Sequence, residues 1–399
     1  MSSEPKPFIP YGRQTITEAD ISAVVEVLRS PFLTQGPVVP AFEQAVAARV
    51  GARYGVAVNS ATSALHIACL ALGLGPGDQL WTSPITFVAS ANCGLYCGAT
   101  VNFVDIEPAT GLMSIEALTL KLEQAERNGT LPKVVVPVHL AGSSCDMVAI
   151  GALAELYGFA VLEDASHAIG GRYQGKPVGN CRHSSITVFS FHPVKIITTG
   201  EGGLATTNDP ELARRMAELR SHGITKDPNR FEQPAPGPWS YEQQQLGFNY
   251  RLTDIQAALG LSQLQQLDEV VAERNRLLNR YQELLADLPL RLLEVPESVL
   301  SSVHLAVIRL QRACAQEHRR VFEGLRAAGI GVQLHYSPVQ LQPYYRAMGF
   351  AEGQFPEAEA YASSAISLPL FPGLSAADQQ RVAAALAEQL QAVAEEPVV

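Results

Sequence analysis

From Gly55 to Asp164 the chain repeats one pattern: a short apolar run, then a stretch of helical length. GVAVNS leads into SALHIACLALGL, QLWTSP into FVASANCGLYCG, TVNFVDI into SIEALTLKLEQA and KVVVPVHL into MVAIGALAELYG, before FAVLED closes the series. Strands that are apolar for most of their length belong to a sheet covered on both faces, and strand–helix alternation builds such a sheet from parallel strands. The pattern predicts an open α/β core with a mainly parallel sheet.

Upstream, TITEADISAVVEVLRS predicts a helix capped by Thr17, and AFEQAVAARV predicts a second, with the looser PFLTQGPVVPA between them. Downstream, the tract from Thr253 through LGLSQLQQLDEVVAERNRLLNRYQELLA reads as one long helix linking two domains. Beyond it, SSVHLAVIRL and GVQLHYSP read as strands, and RRVFEGLRAAG and AADQQRVAAALAEQLQAV as helices, which makes a smaller α+β unit. A single core usually divides beyond roughly 250 to 300 residues. The expected division is residues 1–252, with the N-terminal segment included, and residues 253–399.

Charge narrows the function. A net charge of −10 without clustered Lys or Arg argues against a nucleic-acid surface. No run reaches the roughly 18 apolar residues of a membrane helix, and MSSEPKPFIPYGRQ lacks the apolar centre of a signal peptide. A soluble, cytoplasmic protein with no membrane partner is expected. The six cysteines (Cys69, Cys93, Cys97, Cys145, Cys181 and Cys314) form no CxxC pair, so reduced thiols are expected and no metal site.

Ligands of open α/β sheets sit beyond the carboxyl ends of the strands, and chemistry-bearing residues recur there. NSATSALH puts Ser60, Thr62 and Ser63 between a strand and a helix, where free N–H groups and hydroxyls can hold a phosphate or simply cap the helix. Asp164 ends FAVLED, with His167 three residues on; alone the pair reads sooner as a capping carboxylate beside a core histidine. Lys195 tips the balance. It stands in FSFHPVKIITTGEGG with no charged neighbour from Ser184 to Gly200, and an apolar pocket makes a lysine amine a nucleophile toward carbonyls. Lysine, carboxylate and phosphate cradle together match the needs of pyridoxal 5′-phosphate.

The wider pattern resembles the DegT/DnrJ/EryC1 sugar aminotransferases, which are fold-type I (aspartate aminotransferase-like) enzymes. The matching stretches include FLTQGPVVPAFE, NSATSALH, SPITFVASAN, VPVHLAG, LEDASHAIGG, FSFHPVKIITTGEGG, GFNYRLTDIQAALGLSQL and HYSPVQLQPYY. The resemblance implies Lys195 as the Schiff-base lysine and proton shuttle, Asp164 as partner of the pyridinium nitrogen, and Thr62, Ser63 and Ser190 as phosphate ligands. It also implies Phe87 as the residue stacked on the ring and His167 near the phenolic oxygen, where the commonest family pattern has Gln. Asn249 would reach the neighbouring subunit's phosphate in a homodimer with shared active sites. Tyr11, Gln35 and Tyr336 lie in segments that tend to line the sugar-nucleotide cleft.

FHPVK, ITTGEGG and ASHAIGG look most like the C-4 transaminases of pseudaminic acid biosynthesis. Those enzymes aminate UDP-2-acetamido-2,6-dideoxy-β-L-arabino-hex-4-ulose with glutamate, releasing 2-oxoglutarate. GDP-perosamine synthase and other nucleotide-sugar C-4 or C-3 aminotransferases share much of the pattern. A sugar dehydratase of the same scaffold carries His at the lysine position, so Lys195 argues against it, and intact Lys195 and Asp164 argue against a non-catalytic regulator.

Overall fold

The computed structural model of the protein describes residues 7–311 and 315–395. Its centre is a seven-stranded sheet built from Tyr54–Val58 (β1), Gln79–Thr82 (β2), Thr100–Phe103 (β3), Val134–Val136 (β4), Ala160–Asp164 (β5), Ile186–Ser190 (β6) and Gly203–Thr207 (β7). The order is β1-β7-β6-β5-β4-β2-β3. β7 pairs antiparallel with both β1 and β6, while the pairs from β6 through β3 are parallel, so β7 is the one reversed strand of this sheet. The mainly parallel sheet expected from the apolar runs is therefore present.

The flanking helices follow local signals. Thr17 caps Glu18–Arg29 (α1) in a full capping box with Asp20. Val38–Val50 (α2) starts three residues before the expected AFEQ stretch, because Pro40 falls in the first turn, where its missing N–H costs nothing. Ala61–Ala71 (α3) is capped by Ser60, whose side chain accepts from Ser63 N. The helix Ala89–Tyr96 (α4) follows β2, as the alternation requires.

Two features differ from expectation. The long tract after Thr253 is two helices, Asp254–Leu264 and Leu267–Leu284, broken where Gln266 leaves helical geometry. GVQLHYSP forms no strand; Gln333 makes a single bridge to Ser367, and its neighbours turn toward the cavity described below.

A second core gathers Leu277, Tyr281, Ile308, Val321, Leu325 and Leu386 around the sheet Leu290–Leu292, Ala306–Leu310 and Ala365–Leu368, whose middle strand is Ala306–Leu310. Ile9 joins this core and donates to Gly329 O at 3.0 Å. That contact carries the N-terminal segment, with Tyr11, across to the large sheet's C-terminal edge. Among the described residues no helix is long and apolar enough to cross a membrane. Cys69, Cys93, Cys97, Cys145 and Cys181 are buried free thiols; Cys314 lies outside the described residues.

Candidate active site

The carboxyl ends of β1, β5 and β6 open into a cavity of about 830 Å3. Ser60, Thr62, Ser63, Phe87, Asp164, His167, Ser190, Lys195, Tyr11 and Tyr336 all line it. Gln35 and Asn249 do not: both are exposed side chains outside the lining, Gln35 before α2 and Asn249 where it bridges Ser221. Within one protomer, then, nearly every residue implied by the sequence converges, and these two stand apart.

Lys195 is set by a turn. Its N–H donates to His192 O at 2.9 Å, with Pro193 fixing the backbone of the turn's second position. The loop is then cinched onto Phe191, whose N–H donates to Gly202 O at 2.9 Å and whose carbonyl accepts from Thr199 N at 3.1 Å and Thr198 Oγ1 at 2.9 Å. Phe191 is anchored edge-on against Phe42, with ring centroids 5.3 Å apart. Desolvation pushes the Lys195 ammonium down to about 8, against an upward pull from the Asp164 carboxylate. About a tenth of the lysine is then free amine at pH 7, several hundred times more than at its ordinary value, which serves carbonyl chemistry.

Asp164 is buried yet fully engaged. Oδ2 accepts from Ser90 Oγ at 2.6 Å; Oδ1 accepts from Ser166 Oγ at 2.6 Å and Ser166 N at 3.1 Å. Ser90 in turn sits 2.6 Å from Thr86 Oγ1. None of these serines stood out in the sequence as a site residue. Ser90 lies inside SPITFVASAN, where the aromatic Phe87 drew attention instead.

The candidate phosphate cradle is a helix N-terminus. Ser63 Oγ donates to Asn59 Oδ1 at 2.7 Å and Ser60 Oγ caps Ser63 N at 3.1 Å, leaving the N–H groups of the first turn of α3 facing the cavity. β7 closes on it at Gly203: a Cβ there would stand 2.5 Å from Ala61 N, so only glycine permits the approach.

His167 has a defined tautomer. Nδ1 accepts from Ala141 N at 3.3 Å, so the proton sits on Nε2, which donates to Tyr336 Oη at 3.1 Å. Burial holds His167 well below the ordinary imidazole value, reinforced by Lys195 and His335. Two further histidines, not expected from the sequence, share this wall. His304 lies with its ring 4.4 Å from that of His167 and is likewise held far down by burial and by Lys195. His335 is pushed down to about 4 by burial and then by Lys195. Lys195 is thus ringed by neutral imidazoles, and Phe87 stands at the mouth with its ring 6.3 Å from Tyr336.

The donor set fits pyridoxal 5′-phosphate: one lysine of depressed pKa, one buried carboxylate fixed by serine donors, and a helix N-terminus with hydroxyls for a dianion.

Residues 14–387 match the model of the DegT/DnrJ/EryC1/StrS aminotransferase family. The spore coat polysaccharide biosynthesis protein SpsC of Bacillus subtilis (strain 168) is 40% identical over 373 residues, covering 92% of this chain and 93% of its own. Among solved structures, Helicobacter pylori PseC, an aminotransferase of pseudaminic acid biosynthesis, superposes with a TM-score of 0.88 at 32% identity, covering 96% of this chain and 100% of its own. The PLP form of the sugar aminotransferase Spr1654 of Streptococcus pneumoniae, itself assigned as putative, gives 0.87 at 31% identity over 97% of this chain and 99% of its own. With lysine, carboxylate and cradle assembled on that architecture, this chain belongs to the DegT/DnrJ/EryC1/StrS family and is a fold-type I, pyridoxal 5′-phosphate-dependent sugar aminotransferase.

Proposed function

We propose that the protein transfers an amino group from glutamate to C-4 of UDP-2-acetamido-2,6-dideoxy-β-L-arabino-hex-4-ulose, a step of pseudaminic acid biosynthesis, and that it does so as a homodimer. The observation that carries the chemistry is the presence of Lys195 and Asp164 in one cavity of about 830 Å3, inside the roughly 300–1,000 Å3 range of ligand pockets. The likeness to Helicobacter pylori PseC and the FHPVK and ASHAIGG stretches support the sugar.

Pyridoxal 5′-phosphate, when bound, supplies the electron sink that lets an amino group leave the donor and reach the keto-sugar. Lys195 would hold it covalently, Asp164 would face its ring nitrogen, and Thr62, Ser63 and Ser190 with the first turn of α3 would hold its phosphate. Phe87 would cover the ring. Lys195 Nζ takes the proton from the donor's Cα and later returns one to C-4 of the sugar, a role worth about 10² to 10⁴ in rate. His167 orients Tyr336 through the 3.1 Å bond, and Tyr11 and Tyr336 bound the space left for the sugar. Asn249 would serve the neighbouring protomer's site.

The 40% identity to SpsC favours a second reading, an amino sugar destined for a surface polysaccharide on another nucleotide, as in GDP-perosamine synthesis. A stopped-flow comparison decides between them. Enzyme preloaded with the amino group should be discharged much faster by the UDP-4-keto-6-deoxy-L-sugar than by GDP-4-keto-6-deoxymannose. A preference for the GDP sugar would select the second reading.

A further inference from the structure

Glu163 and Asp164 are neighbours on β5, and a strand sends successive side chains to opposite faces. Asp164 lines the large cavity and Glu163 does not. On the rear face Glu163 is buried together with His139, whose Nε2 lies 2.7 Å from Glu163 Oε2. The other carboxylate oxygen accepts from Thr187 Oγ1 at 2.8 Å and from Ser184 Oγ. This cluster ties β5 to β6 and to the segment after β4, yet none of its four residues lines the cavity.

His139 also closes a turn. Its Nδ1 accepts from Cys145 N at 3.2 Å, so Nε2 is the nitrogen that donates to Glu163. Between the ends of the bond to Cys145 lies the turn Leu140–Gly142, in which Ala141 has a φ of 56°, left-handed geometry that a residue with a Cβ keeps only when its surroundings impose it. Those surroundings are specific. Ala141 N donates to His167 Nδ1 at 3.3 Å, Ala141 O accepts from His304 N at 2.8 Å, and Gly142 O accepts from Ser302 N at 3.1 Å. Ser302 Oγ in turn donates to His167 O at 2.8 Å. One imidazole behind the sheet thus braces the turn whose N–H selects the Nε2–H form of His167 in front of it.

We propose that His139 is a positioning residue of the active site: anchored on Glu163 and bonded to Cys145, it sets the Leu140–Gly142 turn so that Ala141 N–H fixes the tautomer and orientation of His167. His167 then always presents its hydrogen toward Tyr336. The inference rests on the aminotransferase activity and on His167 acting beside the cofactor, not on which sugar is used.

Two substitutions separate positioning from stability. His139→Leu and His139→Asn both break the bond to Glu163, so both cost stability, but only asparagine keeps an oxygen near the place of Nδ1 to accept from Cys145 N. In the apo-protein, nitrogen NMR should find His167 as Nε2–H in wild type and in His139→Asn, and as a mixture of tautomers in His139→Leu. With pyridoxal 5′-phosphate bound, the saturating rate of the glutamate half-reaction should fall about tenfold in His139→Leu, at a half-saturation within about twofold of wild type, and asparagine should restore most of that rate. Combining His139→Leu with Glu163→Leu leaves no buried carboxylate unpaired; this double variant should behave as His139→Leu does, and it supplies the same measurements if the single variant does not fold. A wild-type tautomer or a wild-type rate in the leucine variants, or asparagine failing as leucine does in both readouts, would overturn the proposal. A wild-type enzyme that does not react with glutamate would count against that donor instead, and the His167 tautomer would still decide this one.

Discussion

Ser90 Oγ donates to Asp164 Oδ2 across 2.6 Å, joining the helix after β2 to the end of β5 over 74 positions of sequence. With Ser166 on the other oxygen, it fixes the orientation of the carboxylate from both sides. Asp164→Asn should therefore bind pyridoxal 5′-phosphate but slow the half-reaction with glutamate at least a hundredfold. Ser90→Ala removes one charge-assisted bond worth roughly 1.5 to 3 kcal/mol and should slow it by up to roughly ten- to a hundredfold. Single-turnover rates at wild-type level in Asp164→Asn would refute the role.

Lys195 titrates near 8 because burial disfavours its ammonium. The free amine grows as pH rises through that value, so covalent attachment of pyridoxal 5′-phosphate to the apo-protein should accelerate between pH 7 and 9 and level off above. Lys195→Ala should show no attachment and no turnover while keeping the wild-type circular-dichroism spectrum. A midpoint near the ordinary lysine value of 10.5 would contradict the desolvated pocket.

How much of this could be read beforehand depends on where each residue gets its position. Lys195, Asp164 and the Ser60–Ser63 cradle were legible because strand ends in an α/β sheet deliver residues to one edge, and strand ends can be located from apolar runs. Ser90, His304 and His335 were not, since only packing between distant segments brings them to the wall. The reversed direction of β7 was hidden for a related reason: GLATT is as apolar and as short in either orientation. The break near Gln266 escaped because Gln and Leu favour helix on both sides of it, and local propensity carries no signal there.

Three buried histidines make acid sensitivity an expected property. His167, His304 and His335 all have folded-state values below those of an unfolded imidazole. Below about pH 6.5 the unfolded chain binds protons that the folded one refuses, so stability falls as pH drops, by up to roughly 1.4 kcal/mol per pH unit for each histidine. The urea midpoint should fall between pH 7 and pH 5, and His167 should keep the Nε2–H tautomer by nitrogen NMR throughout. An unchanged midpoint, or imidazole titration of His167 near 6.5, would rule this out. Because the bond to Tyr336 needs only a donor, His167→Gln should retain activity within about tenfold, whereas His167→Leu should lose more.

Asn249 poses the sharpest geometric question, because its side chain is exposed and lies outside the cavity of its own protomer. If it serves a phosphate, that phosphate belongs to a second copy. Asn249→Ala alone should then weaken cofactor retention on dialysis by roughly 1.5 to 3 kcal/mol, the worth of a charge-assisted hydrogen bond. Mixing decides whether the contact crosses between subunits. In a heterodimer of one Lys195→Ala chain and one Asn249→Ala chain, a crossing contact leaves one site with both its lysine and its asparagine intact, while a contact within the protomer leaves none. Co-expressed chains carrying separate affinity tags, purified through both, should therefore show about half the wild-type activity per dimer. Activity no higher than that of the Asn249→Ala homodimer would confine Asn249 to its own protomer and remove the argument for shared active sites.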